Sequence, residues 1–289
     1  MAVALQVLFD NGCHLGHPAE KWHPRMKQWI YGVRDGIHIF DLEKTAAQLE
    51  KARARIQELK ELKKSVVVVA TKKQAAELVQ DLAETAGLMY VVNRWPGGLI
   101  TNWEQVRKSI KRMNDIEDGL AHNKFQDLTK YERLLLEKEL ARLERLFGGL
   151  KNLHARPDAL FVVDAQKEKN AVHEALKEKV EVIAMVDTNT DPTGISLVIP
   201  TNDDAISSIR LIVSEALGVR REVPTVRVAK SAVKEEKQED KAAEEKEDKK
   251  STKAEEKTEE STKKTVKKET KKASKKVGET DKSETKESK

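Results

Sequence analysis

The chain predicts an α/β fold, a doubly wound parallel sheet of five strands with helices on both faces. Two features of the sequence carry that prediction. Its strand-like segments are short, continuous runs of apolar, mostly β-branched residues, as in a sheet buried on both sides, and not the in–out alternation of a half-exposed sheet. Long segments with apolar residues every three or four positions separate them, the pattern of connecting helices.

In chain order, WIYGV (29–33) reads as an apolar strand, and GIHIFDL (36–42) as the run that opens the alternation. TAAQLEKARARIQELKELK follows as an amphipathic helix. SVVVVA (65–70) is a strand, and KKQAAELVQDLAETAG (72–87) a helix that Gly87 stops. MYVV (89–92), ALFVVD (159–164), VIAMVD (182–187) and LVIP (197–200) supply further strands. A last helix is opened by Asn202 or Asp203 and closed by Gly218. Between MYVV and ALFVVD lies a strongly charged stretch, helical twice over with a polar turn near AHNKFQDLTK. Its second half carries Leu134, Leu135, Leu140, Leu143 and Leu146 near coiled-coil spacing, so 103–150 is expected to be an antiparallel helical hairpin inserted into a sheet domain of 1–102 and 151–229.

Composition divides the chain again near residue 229. Residues 230–289 hold 20 Lys and 17 Asp plus Glu but no Arg, Leu, Ile or aromatic residue, so they cannot bury enough apolar area to offset the entropy of ordering them. A disordered Lys/Glu-rich tail is expected there. The remaining 34 basic and 32 acidic residues nearly balance, so only local charge distribution bears on partners. A single cysteine, Cys13, excludes an internal disulfide and fits a reducing compartment. The N-terminus lacks a basic n-region, and no apolar run approaches membrane-spanning length, so a soluble cytoplasmic protein is expected.

Motifs for catalysis are weak. Neither a GxxxxGK[ST] phosphate loop nor a GxGxxG fingerprint follows any strand. Asp164 and Asp187 end two strands and Asp191 follows, a set that could hold magnesium in a phosphoryl-transfer enzyme, although Asp at a strand end is also an ordinary turn or capping residue. Cys13, His14, His17 and His23 offer zinc-ligand chemistry without a recognised structural zinc spacing.

The nucleic-acid signal is stronger. All four Trp lie at 22, 29, 95 and 103, and three of them stand within two positions of a Lys or Arg. KWHPRMKQW interleaves Lys21, Arg25 and Lys27 with Trp22 and Trp29, pairing phosphate contacts with stacking faces. Trp29 also fits a core position at the start of its strand. Lys72 and Lys73 begin a helix after SVVVVA, where the helix dipole favours an anion. In NRWPGGLITN (93–102), Arg94 offers a planar donor fork and Trp95 a flat ring, while Gly97 and Gly98 let the backbone approach a ligand closely. Arg107, Lys108, Lys111 and Arg112 form a stripe along the first hairpin helix, which reads equally as a solvated face.

Taken together, GCHLGHPAEKWHPRM, YGVRDGIHIFDLEKT, TKKQA, NRWPGGLITN, PDALFVVD, VDTNTDP and IPTNDDA occur in the order and spacing of the bacterial second protein of the small ribosomal subunit. The chain resembles that family from residue 5 to about residue 220. The resemblance implies a flavodoxin-like sheet with a coiled-coil insertion, bound to small-subunit rRNA and to neighbouring ribosomal proteins. It implies help in docking the large mRNA-binding ribosomal protein S-one, and no enzymatic activity, catalytic residue, cofactor or metal. Lys21, Trp22, Arg25, Lys27, Lys72, Lys73, Arg94, Trp95 and Asn102 fall on matching motifs and carry over as RNA contacts, to which the stripe adds Arg107, Lys108 and Lys111. Four positions depart from the family pattern: Cys13, His23, Pro96 and Thr201. Pro96 has no amide hydrogen to give a ligand, and Thr201 stands where the pattern has Gly, so its turn either needs no positive φ or is strained.

Overall fold

A computed structural model describes residues 3–122, 124–126 and 128–219. The predicted tail, 230–289, lies outside the described residues, as do the last ten residues assigned to the sheet domain, 220–229.

The centre is a five-stranded parallel sheet. Its strands are β4 (Val66–Val69), β5 (Met89–Val91), β6 (Ala159–Val162), β7 (Glu181–Val186) and β8 (Leu197–Pro200), in the order β5-β4-β6-β7-β8. All four valines of β4 and all four residues of β6 are buried, as the continuous apolar runs require. Alternate residues feed two cores. Val67, Val69, Leu160 and Val162 face one, which takes in α6 (Lys169–Lys177) and the base of α4 (Trp103–Ala121). Val68, Ala70, Phe161 and Val163 face the other, which packs on α2 (Leu42–Glu61), α3 (Lys73–Ala86) and α7 (Ile206–Leu217).

Local signals explain the helix ends. The Asp41 side chain accepts from the backbone N–H groups of Glu43 and Lys44 at the start of α2. Gly87 and Gly218 end α3 and α7 in the left-handed conformation. Neither Asn202 nor Asp203 is the cap of α7. That position is Ala205, and Asn202 accepts from the N–H groups of Asp204 and Ala205, closing the turn that leads into the helix.

One strand expectation is corrected. GIHIFDL does not join the parallel sheet; it forms β3 (Ile37–Phe40), the centre of a separate three-stranded antiparallel sheet between β1 (Leu15–Pro18) and β2 (Ile30–Arg34). The reason is the Asp35-Gly36 pair, both at positive φ, which folds β2 straight back onto β3 as a tight hairpin. A parallel neighbour would have needed a crossover of a dozen residues or more. Trp29 ends a 3-10 turn, Pro24–Trp29, and β2 begins one residue later.

In the inserted segment, α5 (Lys130–Phe147) opens with a reciprocal Thr129–Glu132 capping box and returns along α4. α4 buries Val106, Ile110, Met113 and Ile116. Opposite them stand Leu136, Leu140, Leu143 and Phe147, spaced by four and three, while Leu134 and Leu135 face solvent. Leu140, Leu143 and Leu146 thus pack as expected, and Leu136 takes the place expected of Leu134 and Leu135. Every fourth or third residue stays on one helix face, and 136 continues the series set by 140, 143 and 147.

Candidate nucleic-acid interface

The carboxyl ends of the parallel strands are where a doubly wound sheet opens a ligand crevice. Here that region is filled by the chain's own charges. Lys72, just past β4, is buried, and its Nζ reaches the backbone oxygen of Asp203 at 2.6 Å and the carboxylates of Asp204 at 2.6 Å, Asp203 at 3.0 Å and Asp164 at 3.4 Å. His17 of β1 adds its Nδ1 at 3.1 Å from Asp187, which directly follows β7. Burial pushes the Asp203 carboxyl up to about 7, and the neighbouring Asp164 and Asp187 add to the rise. Burial pulls Lys72 down, but Asp204, Asp203 and Asp164 outweigh it and hold the ammonium charged. The hydrogen bond to Asp187 raises His17 above the ordinary imidazole value. The network also seats the small sheet on the large one. The His17 N–H donates to Thr188 Oγ1 at 3.0 Å and the His23 N–H to the Thr188 oxygen at 2.7 Å, and a Cβ on Gly16 would stand 2.7 Å from the Thr188 methyl.

The NRWPGGLITN loop is held in the same way. One carboxylate, Glu174 of α6, accepts five hydrogen bonds from it: Gly98 N–H at 2.8 Å, Trp95 Nε1–H at 3.1 Å, Ile100 N–H at 3.2 Å, Thr101 N–H at 3.3 Å and Thr101 Oγ1–H at 3.2 Å. The glycine-bearing backbone does grip an anion, but the anion belongs to the protein. Gly98 is at positive φ, and Pro96, which has no amide hydrogen, accepts from the Leu99 N–H through its carbonyl. Burial raises the Glu174 carboxyl, but these donors outweigh it and hold it below the usual range.

The predicted site residues therefore separate into two groups. Lys72 is committed to the Asp164–Asp203–Asp204 cluster, and Trp95 is buried, 7% exposed, with its indole N–H on Glu174, so neither offers the free cation or stacking face expected of it. Asn102 is exposed at the cap of α4 without a side-chain cap bond. Lys21, Trp22, Arg25, Lys27, Lys73, Arg94, Arg107, Lys108 and Lys111 are all exposed. Trp22 lies over His38 with ring centroids 5.3 Å apart. Arg25 is steadied by Asp191 at 3.3 Å and by the Thr193 hydroxyl. Arg112, the fourth member of the stripe, is tied across the hairpin to Glu139 at 3.1 Å.

The alternative chemistries are dispersed. Asp164 and Asp187 face the Lys72–His17 network, whereas Asp191 accepts from Thr193 and pairs with Arg25. Cys13 is buried, which raises its thiol, and His14 stacks on Phe9 at 4.2 Å. The His23 Nδ1 accepts from the Arg25 N–H in the following turn. Thr201 is not strained; it lies outside the positive-φ residues, and its hydroxyl shares a hydrogen bond with Ser208.

A protein-family model described as Ribosomal protein S2 matches residues 8–219, which is most of the chain. The chain belongs to the ribosomal protein S2 family. The small ribosomal subunit protein uS2 of Roseiflexus sp. (strain RS-1) is 46% identical over 213 residues, 74% of this chain and 81% of that one. The protein of the same name from Chloroflexus aggregans (strain MD-66 / DSM 9485) is 45% identical over 213 residues, covering 74% and 90%. That from Chlorobaculum tepidum is 42% identical over 231 residues, covering 80% and 93%. Family membership agrees with the α/β sheet of flavodoxin-like strand order described above.

Four acids that organise this family member's site, Glu168, Glu174, Asp203 and Asp204, were not among the predicted site residues. Glu168 receives the Thr71 N–H at 3.0 Å and so fixes the approach to Lys72. Asp203 and Asp204 lie in the IPTNDDA motif, where two adjacent acids in a turn are a visible signal for a buried cation nearby. Glu168 and Glu174 sit on or beside a helix whose charge pattern resembles any solvated face, so the sequence offers no signal for them.

Proposed function

We propose that this chain is a structural, non-catalytic component of the small ribosomal subunit that binds small-subunit rRNA and supports translation, cytoplasmic and ribosome-bound. The observation that carries the reading is a contrast between two sets of cations. Arg53, Arg55, Lys72, Arg112, Lys151 and Arg156 are each paired with a carboxylate and do structural work. Lys21, Lys27, Lys73, Arg94, Arg107, Lys108 and Lys111 are exposed and make no ion pair among the described residues. A cation without an internal partner is available to neutralise a phosphate and release its counterions. Folded RNA is recognised largely through shape, phosphates and 2′-hydroxyls, so a rigid scaffold with cations at its rim is sufficient. Lys72 and Trp95 serve this reading by positioning the loops that carry Lys73 and Arg94, and the exposed Asn102 is left as a contact at the start of α4.

The division into a sheet domain, a projecting hairpin at 103–150 and a C-terminal tail belongs to the same proposal, with the hairpin as a second arm on the RNA. Docking of the ribosomal protein S-one is assigned to the exposed apolar side chains at the small sheet and α1 (Leu5–Asp10). Tyr31 is 82% exposed, and Val33, Phe9 and Leu15 accompany it, an apolar surface suited to a protein neighbour. Co-sedimentation on a gradient tests the core claim. Tagged protein should travel with small subunits and bind their rRNA at moderate ionic strength; retention in the low-mass fractions during growth overturns it.

A further inference from the structure

We propose that the groove between the Pro24–Trp29 turn and strand β8 is a pocket for one unstacked nucleobase of the rRNA, with Arg25 and Lys27 as the contacts to its flanking phosphates. This deepens the rRNA-binding reading and rests on it. The groove is open to solvent on one side and offers about 750 Å³, and ligand pockets commonly span about 300–1,000 Å³.

Its walls have the composition a nucleobase needs. The Trp29 ring, between Pro24 and the apolar side chains of β8, supplies a flat surface. The carboxamides of Gln28 and Gln48 each bring donors and an acceptor, the groups that read a base edge. Trp29 also carries a buried indole N–H with no acceptor, a donor that the fold leaves unanswered. β8 is an outermost strand of its sheet, so one row of its backbone N–H and C=O groups has no neighbouring strand.

Charge at the groove favours an anionic ligand. No carboxylate lines the groove, while Arg25 and Lys27 do; Arg25 is shared with Asp191 at its edge at 3.3 Å, as the nearby Lys44 is with Asp41 at 3.0 Å, and Lys27 makes no ion pair among the described residues. An extended peptide could pair with β8, but it has no use for a cation pair at the mouth. A nucleotide uses the flat wall, the amides and the cations together.

The test uses the full chain and its small-subunit rRNA, with binding measured across a salt series and base-specific chemical probing of the complex. The wild type should shield one base edge. A Gln28→Ala/Gln48→Ala double variant should reopen that base and weaken binding about five- to tenfold, the loss of one or two modest hydrogen bonds, with an unchanged salt slope. Arg25→Ala/Lys27→Ala should instead lower the slope by about 1–2, a full phosphate contact for Lys27 and a part of one for Arg25, which Asp191 shares. Because all four side chains except the half-buried Gln48 are exposed, the variants should melt with the wild type, and Gln28→Ala alone reads the pocket if the double variant melts earlier. A Gln28→Ala or double variant that melts normally and keeps wild-type affinity and footprint, while the wild type binds, overturns the pocket and leaves the rRNA reading standing. A wild type with no affinity for the rRNA removes both.

Discussion

Replacing Glu174 with Ala tests whether an internal carboxylate holds the loop that launches the hairpin. The substitution strips the acceptor from five donors at once. The Gly98 and Thr101 groups lie near the surface and can turn to water, but Trp95 and Ile100 are only 7% and 2% exposed. An unanswered buried donor costs about 1–3 kcal/mol, so two of them, with some relaxation of the loop, come to about 3 kcal/mol. For a folded region of this size a loss of about 1 kcal/mol lowers Tm by about 2–4 °C, so thermal melting at pH 7 should fall by about 6–12 °C. Glu174→Gln keeps one acceptor oxygen and turns an NH₂ group toward the donors, so it should fall between. The pH dependence is a second readout. The donors hold Glu174 below its ordinary value of 4.5, so its contribution is present above that pH and is lost as the pH falls through the depressed value in the folded state. The gap between wild type and Glu174→Gln should therefore close on acidification through that depressed value. An Ala variant melting within about 1 °C of wild type, or a gap indifferent to acid, refutes the reasoning.

Lys72→Met leaves Asp164, Asp203 and Asp204 without their shared cation and should cost about 3–5 kcal/mol by urea unfolding. Because Asp203 is pushed up to about 7, the folded state takes a proton there as the pH falls, and the loss should be smaller at pH 5.5 than at pH 8. Gly149→Ala would place a Cβ 2.3 Å from the Tyr90 backbone oxygen, so calorimetry should show a loss of about 1–3 kcal/mol that no side-chain rotation relieves. Reversing Arg107, Lys108 and Lys111 to Glu should weaken rRNA binding and lower the salt slope by about 2–3, with melting unchanged; an intact slope returns the stripe to solvent.

Strand existence was legible because a fully buried parallel strand needs an unbroken apolar run, and VVVV and ALFV leave no other reading. The helix stops at Gly87 and Gly218 were legible from the residue type that the left-handed cap requires. Which sheet a strand joins was harder to see: GIHIF is as apolar as its neighbours, and only the tight Asp35-Gly36 turn, read as a hairpin, would have separated it. The surroundings of the candidate site residues were half legible. Exposed cations such as Arg94 and Lys108 declare themselves by type and spacing. Whether a cation is free depends on carboxylates far along the chain, as Lys72 depends on Asp203, 131 positions away. Pattern reading near Lys72 cannot see that partner.

That dependence explains how the same sheet end can close its ligand crevice and still present cations at its surface. A parallel sheet delivers β4, β6, β7 and β8 to one rim, and each contributes a polar residue there: Lys72, Asp164, Asp187 and Asp203. Left open, such a rim accommodates a small molecule. Here the acids and Lys72 satisfy one another, Glu174 does the same for the neighbouring loop, and both loops are fixed without a bound partner. Cations one step outside these clusters, Lys73 beside Lys72 and Arg94 beside Trp95, are thereby held at the surface by residues that never reach it. A large, stiff polyanion is bound best by charges already in place, since every side chain or loop that must be ordered on contact subtracts about 0.5–1.5 kcal/mol from binding. Breaking the Lys72 cluster should therefore weaken rRNA binding through Lys73, with the salt slope falling by about 1, even under conditions where the variant remains folded.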